Sequence, residues 1–194
     1  LPLELRDIED VLSRALAAEA ARLAEDEGPV PCQVLRGPLS HAVAAQLATS
    51  PADLLVMGAH GETGWEARIF GSTAERMLQA ELLPVLLVKA EVRRSYRRIA
   101  LATDFSEASL HAARFGMALA PDAEAVVFHA HLTPFAGALE YANVPAADRE
   151  AHARRASMDA MRSLEAFASR LPRAAAPSLH TGAPAATLAG FAAA

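Results

Sequence analysis

Lysine occurs once in this chain, at Lys89, and cysteine once, at Cys32. A lone cysteine excludes an intrachain disulfide and every Cys-x-x-Cys metal or redox motif. A lone lysine outside any glycine-rich turn excludes the G-x-x-x-x-G-K-[ST] phosphate loop, and no lysine is available there to stabilise a transferring phosphoryl group. Positive charge is in deficit overall: 18 Lys and Arg stand against 23 Asp and Glu, a net charge of −5. That argues against a general nucleic-acid binder, whose affinity rests on neutralising phosphates. Aromatic residues make up only 5% of the chain. No apolar run approaches the ~20 residues of a membrane span, and no stretch reads as a signal peptide, so a cytoplasmic protein is expected. No Ser-His-Asp order or paired-carboxylate motif is present, and we expect no enzyme beyond slow hydrolysis.

What is present alternates. Apolar residues at 5, 8, 12, 16 and 23 form a helical stripe that Gly28-Pro29 ends. Val30 to Leu35 reads as a short strand, Ser40 to Thr49 as a helix, and Leu54 to Met57 as a strand buried on both faces. A helix from Thr73 to Ala80 and the apolar strand Pro84–Val88 follow. Residues 89–98, KAEVRRSYRR, read as a charged linker, though the arginines could also hold an anion. Then come a strand over Ile99–Thr103, a helix from Ser106 to about Ala120, and a strand from Val126 into His129-Ala130-His131. A long loop over Thr133–Val144, a helix over Ala146–Leu171, a strand over Ser178–Thr181 and a helix opened by Pro184 complete the series. Such alternation predicts α/β architecture with a parallel sheet.

One stretch carries chemistry, DLLVMGAHGETGWEARIFGSTAERML from Asp53 to Leu78. Gly58 and Gly61 follow a strand directly, where the backbone needs positive φ or close approach of another group. Ser72, with Glu75 three residues on, reads as a capping box. A strand end, a glycine-bearing loop and a helix N-terminus together aim amide donors at an anion. The alternative is that the glycines only shape a tight connection and Ser72 only caps a helix. His60 could touch phosphate or solvent, and Trp65 and Phe70 read as anchors of the loop. His129 and His131 fall on one face of a strand; with no third ligand nearby, a structural role is the better reading.

The spacing Gly58-x2-Gly61-x9-Gly71-Ser72 resembles the nucleotide loop of the universal stress protein family, and Arg98-Ile-Ala-Leu-Ala-Thr-Asp104-Phe-Ser-Glu-Ala-Ser109 resembles that family's opening strand and aspartate. The resemblance implies a doubly wound five-stranded parallel sheet of order 3-2-1-4-5, with a nucleotide at the carboxyl ends of its strands. It implies that Met57, Gly58, Gly61, Gly71, Ser72 and Thr73 line the phosphate and ribose region, and that Asp104 accepts from the adenine amino group. Asp104 also reads as a helix-start residue ahead of Ser106. The ligand implied is ATP, with or without Mg, and the partner is a second domain or a second copy paired through the Pro84–Val88 edge strand.

The order of elements repeats at an offset of 145 residues, which lays Gly37 on Gly182 and the first helix on residues 146–172. We therefore expect two tandem copies, each incomplete: residues 1–94 lack the first strand-helix-strand and residues 95–194 the last strand-loop-helix-strand. On this reading the chain is an interior portion of a tandem protein of roughly 290 residues, at ~150 residues per domain. A permuted single domain is the rival, disfavoured because the linker is short for a parallel crossover. The functional expectation is a stress-response, ATP-binding regulatory protein; the alternative is a scaffold that binds no nucleotide and exists to dimerise or recruit partners.

Overall fold

The computed structural model describes residues 5–28, 30–58, 72–80, 82–88 and 95–193. The chain divides into two units, Leu1–Glu91 and Val92–Ala194. Among the described residues all the ladders are parallel, and the strands fall into a two-stranded and a three-stranded sheet. This is α/β architecture, as the alternation predicts.

In the first unit, α1 (Leu5–Glu27) and α2 (Leu39–Thr49) precede β1 (Leu55–Gly58), α3 (Ser72–Gln79) and β2 (Val85–Val88). β1 and β2 run in parallel register from Leu55 opposite Val85 to Gly58 opposite Val88. α3 buries Ala74 and Met77, three residues apart on one face, as its amphipathic pattern requires. It includes Ser72 as a helical residue, whereas the capping reading places Ser72 just outside.

Two expectations are corrected here. Val30–Leu35 forms no strand. A strand exists only through a ladder partner, and the described residues offer this segment none. β1 is not buried on both faces: Leu55 and Met57 are half-buried, but Val56 is 55% exposed. The α1 stripe is helical but uncovered, with Ile8, Leu12 and Leu16 all exposed. An ion pair between Arg36 and Glu9 ties α1 to the segment before α2, and pairs so accessible to water contribute little.

The second unit comprises β3 (Arg98–Ala102), α4 (Glu107–Leu119), β4 (Glu124–His131), α5 (Ala136–Tyr141), α6 (Ala146–Ala168), β5 (Ala176–Thr181) and α7 (Pro184–Ala193). The sheet order is β3-β4-β5. As the middle strand, β4 is apolar on both faces. Ala125 and Val127 join Leu110, Ala113 and Met117 of α4 and Leu164 and Phe167 of α6 in the core, while Val126, Phe128 and Ala130 are buried on the other face. There the Phe128 ring stacks on His180 at 4.8 Å and meets Phe191 of α7 at 5.1 Å.

Ser106 caps α4 as its sequence suggests, its side chain accepting from the Ser109 N–H. The expected loop over Thr133–Val144 instead contains α5. Pro134 and Asn143, and Pro145 just beyond the segment, lie outside the six-residue helix, and the turns at Phe135 and Asn143 take positive φ. His152 on α6 holds the preceding loop through the Pro134 carbonyl at 2.9 Å. Gly37 and Gly182, equivalent under the offset, both have positive φ, +107° and +143°. Only glycine adopts this without strain.

Candidate functional site

Sheet chemistry in the second unit converges where β3 ends. The Thr103 N–H donates to the Phe128 carbonyl at 3.0 Å, extending the ladder one residue beyond β3. The chain then turns sharply. Phe105 sits at φ +69°, a region that bulky residues enter only when their surroundings hold them there. Its ring packs on His129 at 4.2 Å and edge-on against Phe167 at 6.5 Å, and its N–H donates to Thr103 Oγ1 at 2.8 Å. The Thr103 hydroxyl also meets the Ser109 hydroxyl at 2.8 Å.

This turn presents Asp104 beside the N-terminus of α4. Oδ1 of Asp104 accepts from the Ser106 hydroxyl at 2.6 Å and from the Ser106 N–H at 3.0 Å. These two bonds, the hydroxyl first and the N–H second, with the Ser109 hydroxyl adding to them, lower the Asp104 carboxyl from an ordinary 3.8 to about 2. Asp104 is therefore an ionised, acceptor-only group at neutral pH. Its stabilising bonds are complete above the ordinary carboxylate range and are lost as pH falls through the lowered value. His129 Nδ1 lies 2.7 Å from the Thr103 carbonyl oxygen. A carbonyl only accepts, so Nδ1 carries the proton.

A cavity of about 670 Å³ opens here, lined among others by Asp104, Ser106, Ser109, Phe128, His129 and Leu188. Its size suits a small-molecule ligand. Among the described residues Asp104 is the only carboxylate in its lining, which contains no lysine or arginine and takes its other polar groups from Thr103, Ser106, Ser109 and His129. Such a cavity can accept an N–H-bearing, largely apolar group at Asp104.

The sequence-predicted residues fall in both units. Met57, half-buried, and Gly58 close β1 opposite Leu87 and Val88. Ser72 and Thr73 are the first residues of α3. Gly61 and Gly71, with His60, Trp65 and Phe70, lie outside the described residues. Within the first unit the strand end, the intervening segment and the helix start thus follow in the expected order, and Asp104 occupies the β3–α4 turn of the second. Sequence reasoning missed Thr103, Ser106 and Ser109 as partners of this turn. The signal was Asp-x-Ser ahead of a helix, the pattern of a side chain bonding to the backbone two residues on. His129 and His131 do share a face, with parallel rings 6.4 Å apart. His131 Nε2 meets the Ser157 hydroxyl at 3.3 Å, and no group of three or more metal-binding side chains occurs among the described residues.

Residues 2–89 match the sequence model of the universal stress protein family. This stretch belongs to the universal stress protein family. The matched universal stress protein segment includes β1, α3 and β2 and the whole of the glycine-bearing stretch between Gly58 and Ser72. A solved structure bearing the name of a universal stress protein from Pseudomonas aeruginosa UCBPP-PA14 is similar over 93% of this chain, with TM-score 0.55 and 21% identity. At that identity the likeness is one of fold, and the chain spans 63% of the length of that protein. No curated protein matches the sequence. The sheets agree with the fold of the universal stress protein family: β3-β4-β5 matches the 1-2-3 portion of the 3-2-1-4-5 order, and β1-β2 the 4-5 portion. No helix among the described residues is long and apolar enough to cross a membrane.

Proposed function

We propose that this chain is part of a tandem, stress-responsive regulatory protein that binds ATP, with or without Mg, and whose chemistry does not go beyond slow hydrolysis. The observation that carries this reading is the cavity at the carboxyl ends of β3 and β4, where Asp104 is held as an acceptor. Open parallel sheets bind ligands at these ends. Asp104 takes the base. In the first copy the phosphates belong to the Gly58-x2-Gly61-x9-Gly71-Ser72 loop, in the family-matched stretch. Each copy carries its own part of its own site. Calorimetry with ATP tests this. A charge-assisted hydrogen bond is worth ~1.5–3 kcal/mol, so Ser72→Ala should weaken binding roughly 10- to 150-fold. Absence of heat with ATP would favour the scaffold reading.

One observation favours self-association alongside nucleotide binding. β2 pairs with β1 on one side, and among the described residues no strand pairs its other edge. Val85 to Val88 carries no charge within it, whereas natural edge strands are usually blunted by lysine, proline or a bulge. We assign this edge to pairing with its equivalent, in a homodimer or an intramolecular pseudo-dimer. Leu86→Pro removes a ladder donor, so light scattering should find the variant monomeric at concentrations where the parent chain is dimeric. A parent chain that stays monomeric at every concentration would show that the edge is covered in another way.

A further inference from the structure

A second cavity, of about 310 Å³, lies between α5 and α6, and among the described residues it shares no lining residue with the one at Asp104. Its wall combines three charged side chains, Glu140, Arg149 and Glu150, with Thr133, Leu139 and three alanines. Arg149 is the unusual member. Its Nε is buried without a hydrogen-bond partner among the described residues, and Nη1 lies 4.0 Å from Oε1 of Glu140, too far for a hydrogen bond. A guanidinium carries five donors and no acceptor, and a buried donor left unpaired is costly. The side chain does not serve its own helix either. It lies near the start of α6, where a cation opposes the helix dipole.

We propose that this cavity binds a free α-amino acid with an apolar side chain. Arg149 takes the carboxylate, which gives its buried Nε–H an acceptor in a charge-assisted bond. Glu140 takes the ammonium. Of the two carboxylates in the wall it is the available one, because Glu150 is paired with Arg154 at 3.5 Å. Opposite charges 4.0 Å apart match a ligand that carries its carboxylate and ammonium on one carbon. A phosphate fits poorly, since a dianion would meet both carboxylates. Leu139 and the alanines receive the apolar side chain. The volume is at the small end of ligand pockets. This assignment is independent of the ATP-binding reading, which concerns other residues.

Calorimetry on the full chain provides the test, with L-leucine as the probe. Isocaproate keeps its alkyl chain and carboxylate without the ammonium, and isoamylamine keeps the alkyl chain and ammonium without the carboxylate. L-Leucine should bind saturably, and either control roughly 10-fold more weakly or less, the scale of one hydrogen bond to a charged group. Arg149→Gln should weaken L-leucine roughly 10- to 150-fold on the same scale. Glu140→Gln should bring L-leucine down to the affinity of isocaproate, whose own binding does not fall. Thermal melts of the same samples identify variants that have merely unfolded. Arg149→Met tests the opposing account, in which the unpaired Nε is only a cost of packing. On that account the methionine variant melts higher and the parent chain binds no L-leucine, and this pair of results overturns the proposal. Isocaproate bound as tightly as L-leucine, or L-leucine bound equally by folded Arg149→Gln, overturns it as well.

Discussion

Gly58→Val should abolish ATP binding and leave the fold in place. Gly58 is the last residue of β1, in register with Val88, and it is exposed. Its position in the ladder is extended, so the glycine is not needed there for a left-handed turn; what it provides is room. A valine would place an isopropyl group where a phosphate must approach the backbone amides, and a displaced phosphate loses several charge-assisted bonds together. The strand itself should tolerate the change, because valine is among the residues most at home in a strand. Calorimetry with ATP and a thermal melt on the same sample separate the two effects. Loss of heat with an unchanged melt is the expected pair of results. Equal ATP binding by the variant would remove the glycine loop from the site and favour the scaffold reading.

The strand and helix that flank the glycine-bearing stretch were legible because their signals are local. Glycines at fixed spacing after an apolar run, and a hydroxyl residue before an amphipathic helix, need no tertiary information. The same holds at Ser106, whose capping role follows from its place before Glu107–Leu119. Val30–Leu35 failed for the opposite reason. Its apolar residues are those of a strand, and its counterpart under the 145-residue offset, β5, does form one against β4. A strand is decided by its neighbour, and a segment read alone does not reveal whether that neighbour exists. The α1 stripe shows the same limit: periodicity predicted a helix that Gly28-Pro29 ends, but not whether anything covers Ile8, Leu12 and Leu16. At the site, Asp104 was visible as a residue type. That one of its oxygens is occupied by Ser106 was not, since this depends on the rotation of a side chain. α5 was hidden by Pro134 and Pro145, which shape its flanks, and by Gly137, which the helix includes.

Leu164→Ala should be the most destabilising single truncation in the second unit, and it should act on that unit alone. Leu164 is fully buried on α6, in the cluster with Leu110, Val127 and Phe167 that joins α4 and α6 to the sheet. Removing a buried leucine forfeits its transfer free energy and leaves a cavity, together ~2–5 kcal/mol. For a unit of this size each kcal/mol shifts the midpoint by ~4–8 °C, so a fall of at least ~10 °C is expected. Leu12→Ala is the control. Leu12 is 49% exposed on α1, and alanine is the better helix former, so its effect should stay within ~0.5 kcal/mol. A chain of two units need not melt in one step. Where scanning calorimetry resolves two transitions, Leu164→Ala should lower one and leave the other unmoved. Equal displacement of both would mean that the core of Val92–Ala194 also supports the first unit.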